Sequence, residues 1–243
     1  MVKTKDRLFM NYENVIATGF QPLDGILGGG FHNGSLNIIA ARPGMGKTTF
    51  AFQCAAGMAK NTEKKIYIQS LEMSSDYAKR RYPYLNDEKR IIIDDTAPTS
   101  MTGLCARLAK ISDLGAVIID YLQLIDPEDC VRKPDVISRI VFELKLLSKE
   151  LGVPVICTSQ LPRALERRRN RRPILRDLKN DVPEQDMDVF LFLFREGYYN
   201  RKADPSEAEI IVAKNRCGGC GVLPFYLDFG KKIHLEQGIN KDE

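Results

Sequence analysis

The sequence has no tryptophan, only two histidines (His32 and His234), and no apolar run near the roughly 20 residues that a membrane-spanning helix needs. A protein that crosses a membrane by helices is therefore not expected. Met1 to Arg7 is followed by no signal-peptide core. The six cysteines form no secretory framework, so the expected setting is a reducing, cytoplasmic one. Scarce histidine also weighs on the one close cysteine pair, Cys217-Gly218-Gly219-Cys220. A zinc site there needs two more ligands nearby, and two loop or buried thiols is the plainer reading. Internal repeats and low-complexity linkers are absent too. A chain of 243 residues then reads as one α/β domain, residues 17–236, with a short arm at 1–16 and a tail at 237–243.

What the chain does have is alternation. Apolar runs at Leu36 to Ala41, Ile66 to Leu71, Arg90 to Ile93, Ala116 to Ile119, Val153 to Ser159, Val189 to Phe194 and Glu209 to Ala213 are mostly separated by helical patterns. The clearest helix is Val136 to Leu151, with apolar residues at three- and four-residue spacing and Gly152 as a stop. Near-continuous apolar strands in β-α alternation predict a mostly parallel, twisted sheet with helices on both faces. Phe225 to Leu227 and Lys232 to Leu235 predict a C-terminal β-hairpin. Ligands of such sheets sit beyond the C-terminal strand ends.

The run Ala41-Arg42-Pro43-Gly44-Met45-Gly46-Lys47-Thr48, after the first apolar strand and before a helix, has the form of a phosphate-binding loop. Backbone N–H groups and a helix N-terminus converge there on one place for a polyphosphate. Residues Arg42 to Thr49 are thus candidate ATP contacts, with Lys47 reaching the outer phosphates and Thr48 holding Mg²⁺. Asp120, which ends the run Ala116-Val117-Ile118-Ile119, is the candidate second magnesium carboxylate. Glu72, just after the strand that follows the phosphate-loop helix, is placed to orient or activate water at the γ-phosphate. Gln160, at the end of the next strand, is a candidate γ-phosphate sensor. Arg195, ending the Val189 to Phe194 strand, is a candidate neighbour of the base.

Net charge is only +4, but Arg163, Arg167, Arg168, Arg169, Arg171, Arg172, Arg176 and Lys179 crowd one stretch directly after Gln160. Such a run is either a solvated loop or an electrostatic track for a phosphodiester backbone. Arg163, Arg176 and Lys179 are the candidate DNA contacts. A sensor joined to a basic loop can turn loss of a phosphate into movement of a bound polyanion.

Thr18-Gly19-Phe20-Gln21-Pro22-Leu23-Asp24, Gly28-Gly29-Gly30, the phosphate loop, Ser70-Leu71-Glu72-Met73, Asp120-Tyr121-Leu122-Gln123-Leu124 and Ser159-Gln160-Leu161 occur in that order. Together they resemble the ATPase domain of DnaB-type replicative helicases, within the RecA-like superfamily, from about Ala17 to about Leu235. The resemblance implies that Glu72 activates water, that Gln160 senses the γ-phosphate, and that Lys214 and Arg216 reach into a neighbouring subunit's nucleotide. It further implies a homo-oligomeric ring, a hexamer in the family, that moves on single-stranded DNA and works with replication partner proteins. Only Met1 to Ile16 precede these motifs, so a stand-alone ATPase domain without the N-terminal primase-interacting domain is expected. The segment between Glu72 and Asp120 is shorter than the family's, and Asp177 to Asp186 departs from its DNA-loop pattern. A non-translocating loader, partner or inhibitor of a replication complex is the alternative. A KaiC-like phosphotransfer ATPase is a third reading.

Overall fold

The computed structural model describes residues 14–86, 89–97, 99–127, 133–178, 183–228 and 232–235. In chain order the strands are β1 (Val15–Ile16), β2 (Phe31–His32), β3 (Leu36–Ala41), β4 (Lys65–Ser70), β5 (Ile91–Asp94), β6 (Thr99–Ser100), β7 (Leu114–Asp120), β8 (Ile125–Asp126), β9 (Val155–Gln160), β10 (Val189–Phe194), β11 (Glu207–Asn215), β12 (Gly221–Asp228) and β13 (Lys232–Leu235). The helices are α1 (Gln21–Leu27), α2 (Lys47–Asn61), α3 (Ser75–Arg81), α4 (Met101–Leu108) and α5 (Lys133–Leu151).

Nine strands form one sheet in the order β13-β12-β11-β10-β3-β9-β7-β4-β5. The six from β10 to β5 pair in parallel, and β11, β12 and β13 add on as antiparallel neighbours. The strand alternation assigns the two faces. Ile39 and Ala41 of β3 and Ala116 and Ile118 of β7 join a core with α2. Leu36, Ile38, Val117 and Ile119 point the other way, into a core with α4 and α5. Both faces are covered, as continuous apolar strands require. Strand ends run one or two residues beyond the apolar runs at several places: β7 reaches Asp120 and β11 starts at Glu207. Main-chain pairing continues there past the apolar side chains. The hairpin of β12 and β13 is present, and β13 also lies against α2, where Gln53 exchanges hydrogen bonds with the Ile233 main chain at 2.8 and 2.7 Å. The helix α3 and its N-cap Ser74 were not anticipated from the sequence.

The Thr18-to-Asp24 motif holds the sheet's first helices together. The Thr18 N–H donates to Asp24 Oδ1 at 2.8 Å, and the Phe20 N–H donates to Thr18 Oγ1 at 3.1 Å, closing the turn into α1. Phe20 stacks on Phe50 of α2, and Leu23 is fully buried. The turn presses so closely on α2 that a Cβ at Gly57 would stand 2.0 Å from the Thr18 carbonyl oxygen. Gly57→Ala should therefore lose stability in urea denaturation. The helix-propensity gain of at most about 1 kcal/mol is outweighed by an overpacking cost of about 1–3 kcal/mol from displacing backbone.

Candidate functional site

The parallel strands all end at one edge, and the phosphate loop leaves β3 there. Gly44 (φ 78°) and Gly46 (φ 94°) hold the left-handed conformation that favours glycine, and Gly46 caps α2. The first-turn N–H groups of this 15-residue helix face outward at the loop, with Lys47 and Thr48 as its opening residues. They border a cavity of about 620 Å³ lined by Pro43, Gly44, Gly46, Lys47, Thr48, Thr49, Glu72, Met73, Tyr77, Arg81, Tyr82, Gln160, Arg195 and Leu227. Six of the expected ATP contacts, together with Glu72, Gln160 and Arg195, therefore share one space. Glu72 lies two residues past the end of β4, and Gln160 is the last residue of β9.

Asp120 is fully buried at the end of β7. Its Oδ2 accepts from the Thr48 hydroxyl at 2.8 Å and its Oδ1 from the Thr158 hydroxyl at 2.5 Å. An oxygen-only pair of a hydroxyl and a carboxylate suits a hard cation such as magnesium, which keeps waters and takes its remaining ligands from phosphates. Among the described residues no cluster of three or more His, Cys, Asp or Glu could hold a metal by itself. The residues after Asp120 continue the connection. Lys47 Nζ lies 5.6 Å from the centre of the Tyr121 ring. The Gln123 amide nitrogen donates to Ser159 Oγ at 3.0 Å and to the Gln160 carbonyl at 3.2 Å, while its oxygen accepts the Gln160 N–H at 3.2 Å. Gln123 thus clamps the Gln160 peptide and fixes where its side chain starts. Burial raises the Tyr121 phenol above its ordinary value, with Glu72 and Asp120 adding to the shift.

Two loop residues face elsewhere. Met45 is in the apolar core, and the Arg42 guanidinium is buried against Glu166 rather than turned to the cavity. Their side chains do not line the cavity, because the left-handed glycines on either side of Met45 turn successive side chains to opposite sides of the loop. Lys214 and Arg216 lie at the other edge of the sheet: β11 runs antiparallel, and Asn215 pairs with Val189 at the start of β10. There Lys214 donates to the Glu184 carbonyl and Arg216 to the Gln185 carbonyl, with Arg216 Nε 3.7 Å from Asp188. Burial lowers the Lys214 amine below its usual value, with the Arg216 charge as the next cause. Arg195 donates to the Gly44 and Pro205 carbonyls, which fixes it beside the loop.

The basic stretch is folded, not free. Arg168 pairs with Asp177 at 2.8 Å and Arg172 with Glu209 at 2.7 Å. Arg163 and Arg176 have no hydrogen bond or ion pair among the described residues, and Lys179 lies outside them. Sequence reasoning missed Thr158, Gln123, Tyr77, Arg81 and Tyr82. Alternation along β9 was the available signal for the first, since Thr158 shares a face with Gln160.

The chain matches the DnaB-like helicase C-terminal domain family over residues 15–84 and 84–234. It belongs to that family. It is 34% identical to the replicative DNA helicase DnaB of Geobacillus stearothermophilus, over 98% of this chain and 63% of that protein. The replicative DNA helicase DnaC of Bacillus subtilis is also 34% identical, over 96% and 62%. The chain therefore spans a little over three fifths of the length of these curated relatives. A DnaB-like replicative helicase whose structure was solved with its primase interactions superposes with a TM-score of 0.82 at 30% identity, covering 89% of this chain and 61% of that one. An isolated ATPase domain gives a TM-score of 0.82 at 31% identity, covering 91% of each chain. A KaiC-like protein of Pyrococcus horikoshii, at 17% identity and a TM-score of 0.68, shares the fold alone. The fold of this DnaB-like domain is RecA-like. No helix among its described residues is long and apolar enough to cross a membrane.

Thr158→Val keeps the shape of the side chain and removes one of two hydroxyls bonded to the buried Asp120. This variant is expected to lose about 1–3 kcal/mol of stability in urea unfolding.

Proposed function

We propose that this DnaB-like domain hydrolyses ATP with magnesium at the seams of a ring of identical subunits, a hexamer in the manner of its family, and uses the cycle to move on single-stranded DNA in the cytoplasm. One observation carries the reading. Lys47, Glu72 and Gln160 line one cavity, whereas Lys214 and Arg216 sit at the opposite sheet edge, which favours a role for them at another subunit's nucleotide. In this scheme the Lys47 ammonium and the α2 N–H groups bind the phosphates, Thr48 and Asp120 hold magnesium, and Glu72 takes the proton of the attacking water. Magnesium supplies charge neutralisation between the outer phosphates. Gln160 bonds the γ-phosphate and, through the segment that follows it, reports its loss to the arginine-rich stretch. Arg195 packs near the base.

DNA contact rests on Arg163 and Arg176, whose charges have no partner among the described residues, and on Lys179 by its sequence position. Such contacts go to phosphates, tolerate any sequence and weaken with salt. A replication protein is the proposed partner of the ring; one solved relative is described with primase. The internal pairing of Arg168 and Arg172 favours the second reading, a helicase-like ATPase that loads, assists or inhibits a replication complex without translocating. The two readings separate in a steady-state ATPase assay with and without single-stranded DNA at low and moderate salt. The motor is stimulated and the non-translocating partner is not.

Lys47→Ala should abolish nucleotide binding in a fluorescent-analogue titration. Glu72→Gln should keep binding while lowering turnover by about 10²–10⁴-fold. Arg216→Ala should lower turnover on the order of 10³-fold, and mixing it with Lys47→Ala should restore activity, because some seams then combine an intact loop with an intact arginine. Mixtures as inactive as their components would exclude sharing of Arg216 between subunits.

A further inference from the structure

Arg42 lies inside the phosphate loop, yet it is only 6% exposed and makes its contacts behind that loop. Its Nε donates to Glu166 Oε1 at 2.8 Å and its Nη1 to the Leu161 carbonyl at 2.7 Å. Both partners belong to the segment that leaves β9 after Gln160. Glu166 lies in a 3-10 turn, Arg163–Arg167, that buried Leu165 pins to the core. From this turn the arginine-rich segment runs as a strap over the strand ends. Arg171 donates to the Glu166 carbonyl at 3.4 Å and lies over the Tyr199 ring at 5.0 Å. Arg172 then reaches Glu209 on β11. The phosphate loop is therefore tied to the strap by a charged pair of its own, separate from the covalent link through Gln160.

The far side of this cluster contains an unused group. Tyr199 Oη is buried and has no hydrogen-bond partner among the described residues. Its ring packs on Phe194 at the end of β10, and the neighbouring Tyr198 lies against Gly44 of the phosphate loop. Burial raises the Tyr199 phenol above its ordinary value, with the Glu166 carboxylate as the next cause and Arg42 opposing it. Buried hydroxyls are nearly always bonded, so an orphan beside a carboxylate marks a second available pairing. Arg171 connects the two residues, since it donates to the Glu166 carbonyl and lies over the Tyr199 ring. An element with two discrete arrangements is what transmits a signal between sites.

We propose that the Arg42–Glu166 pair is a latch through which nucleotide on the phosphate loop sets the position of the arginine-rich strap, with the Tyr199 hydroxyl as the alternative partner of Glu166. Glu166 is in this sense a positioning residue: it touches neither nucleotide nor magnesium. The latch rests on the nucleotide-binding part of the proposed function and is independent of whether the protein moves on DNA.

The test is amide hydrogen exchange across residues 161–178 in the full chain, with and without magnesium and a non-hydrolysable ATP analogue at saturation. In the wild type, the analogue should change exchange in this segment. Glu166→Ala and Glu166→Gln should each shrink that nucleotide-dependent difference by about five-fold or more, the lower bound of ordinary allosteric coupling. Nucleotide affinity should stay within about two-fold of wild type, since neither change touches the cavity. Glu166→Asp should recover part of the response, and Tyr199→Phe should reduce it without altering exchange in the nucleotide-free state. A merely structural Glu166 would alter exchange equally with and without nucleotide, and that result overturns the latch. Analogue binding with no change across 161–178 in the wild type overturns it as well. Failure of the wild type to bind the analogue at all defeats the nucleotide reading and the latch together, which separates the two failures.

Discussion

The site depends on one constraint: strands buried on both faces have no room for polar side chains except where they stop. From β10 across to β5 six strands run in parallel and all stop at the same edge. Lys47, Glu72, Asp120 and Gln160 come from four separate stretches of the chain and meet because each follows or ends one of these strands. Two of the buried polar groups near this edge show how they are satisfied. Asp120 receives hydroxyls from Thr48 and Thr158, and Gln69 bonds the Asp94 and Thr96 carbonyls. Leaving such groups unpaired would cost about 1–3 kcal/mol each, so these bonds hold the chemistry in register with the core.

The hydrogen bonds also show how separate motifs act as one unit. The five residues from Asp120 to Leu124 touch the Thr48 hydroxyl, the Lys47 ammonium and both the N–H and the carbonyl of Gln160. A shift of the glycine loop would pass to β9 through these side-chain contacts and not through the sheet as a whole. The arginine-rich strap continues from that strand and is held by the ion pairs Arg42–Glu166, Arg168–Asp177 and Arg172–Glu209. Two of these lie within the strap or on β11, so its shape is set by the body of the domain.

The sheet has two functional edges because β11 reverses direction. Its reversal carries Lys214 and Arg216 to the starts of the parallel strands, where Asp188 gathers the Leu36 N–H, Lys145 and the Arg216 main chain. One edge carries the glycine loop with Lys47, Glu72 and Gln160, and the other carries Lys214 and Arg216. That polarity suits subunits arranged head to tail, since each could complete the next.

Much of this was legible in the sequence. Local rules identified the phosphate loop, because a strand, two obligatory left-handed glycines and a Lys-Thr helix start leave their mark within eight residues. Periodicity identified α5, β3, β10 and the hairpin, because burial on one or both faces repeats at 3.6 or 2 residues. The ordered motifs pointed to the family. Contacts between residues far apart in the chain left no such mark. Nothing local predicts that Arg42 turns from the nucleotide to Glu166, 124 residues away, that Gln123 clamps the Gln160 peptide, or that the arginines of the basic stretch are partly used on Asp177 and Glu209. The sequence by itself determined which strands are buried and where the glycine loop opens α2, since those follow from short-range pattern and backbone conformation. Only the tertiary structure decided which charges stay free and which are paired, because ion pairing depends on which strand ends the sheet order makes neighbours.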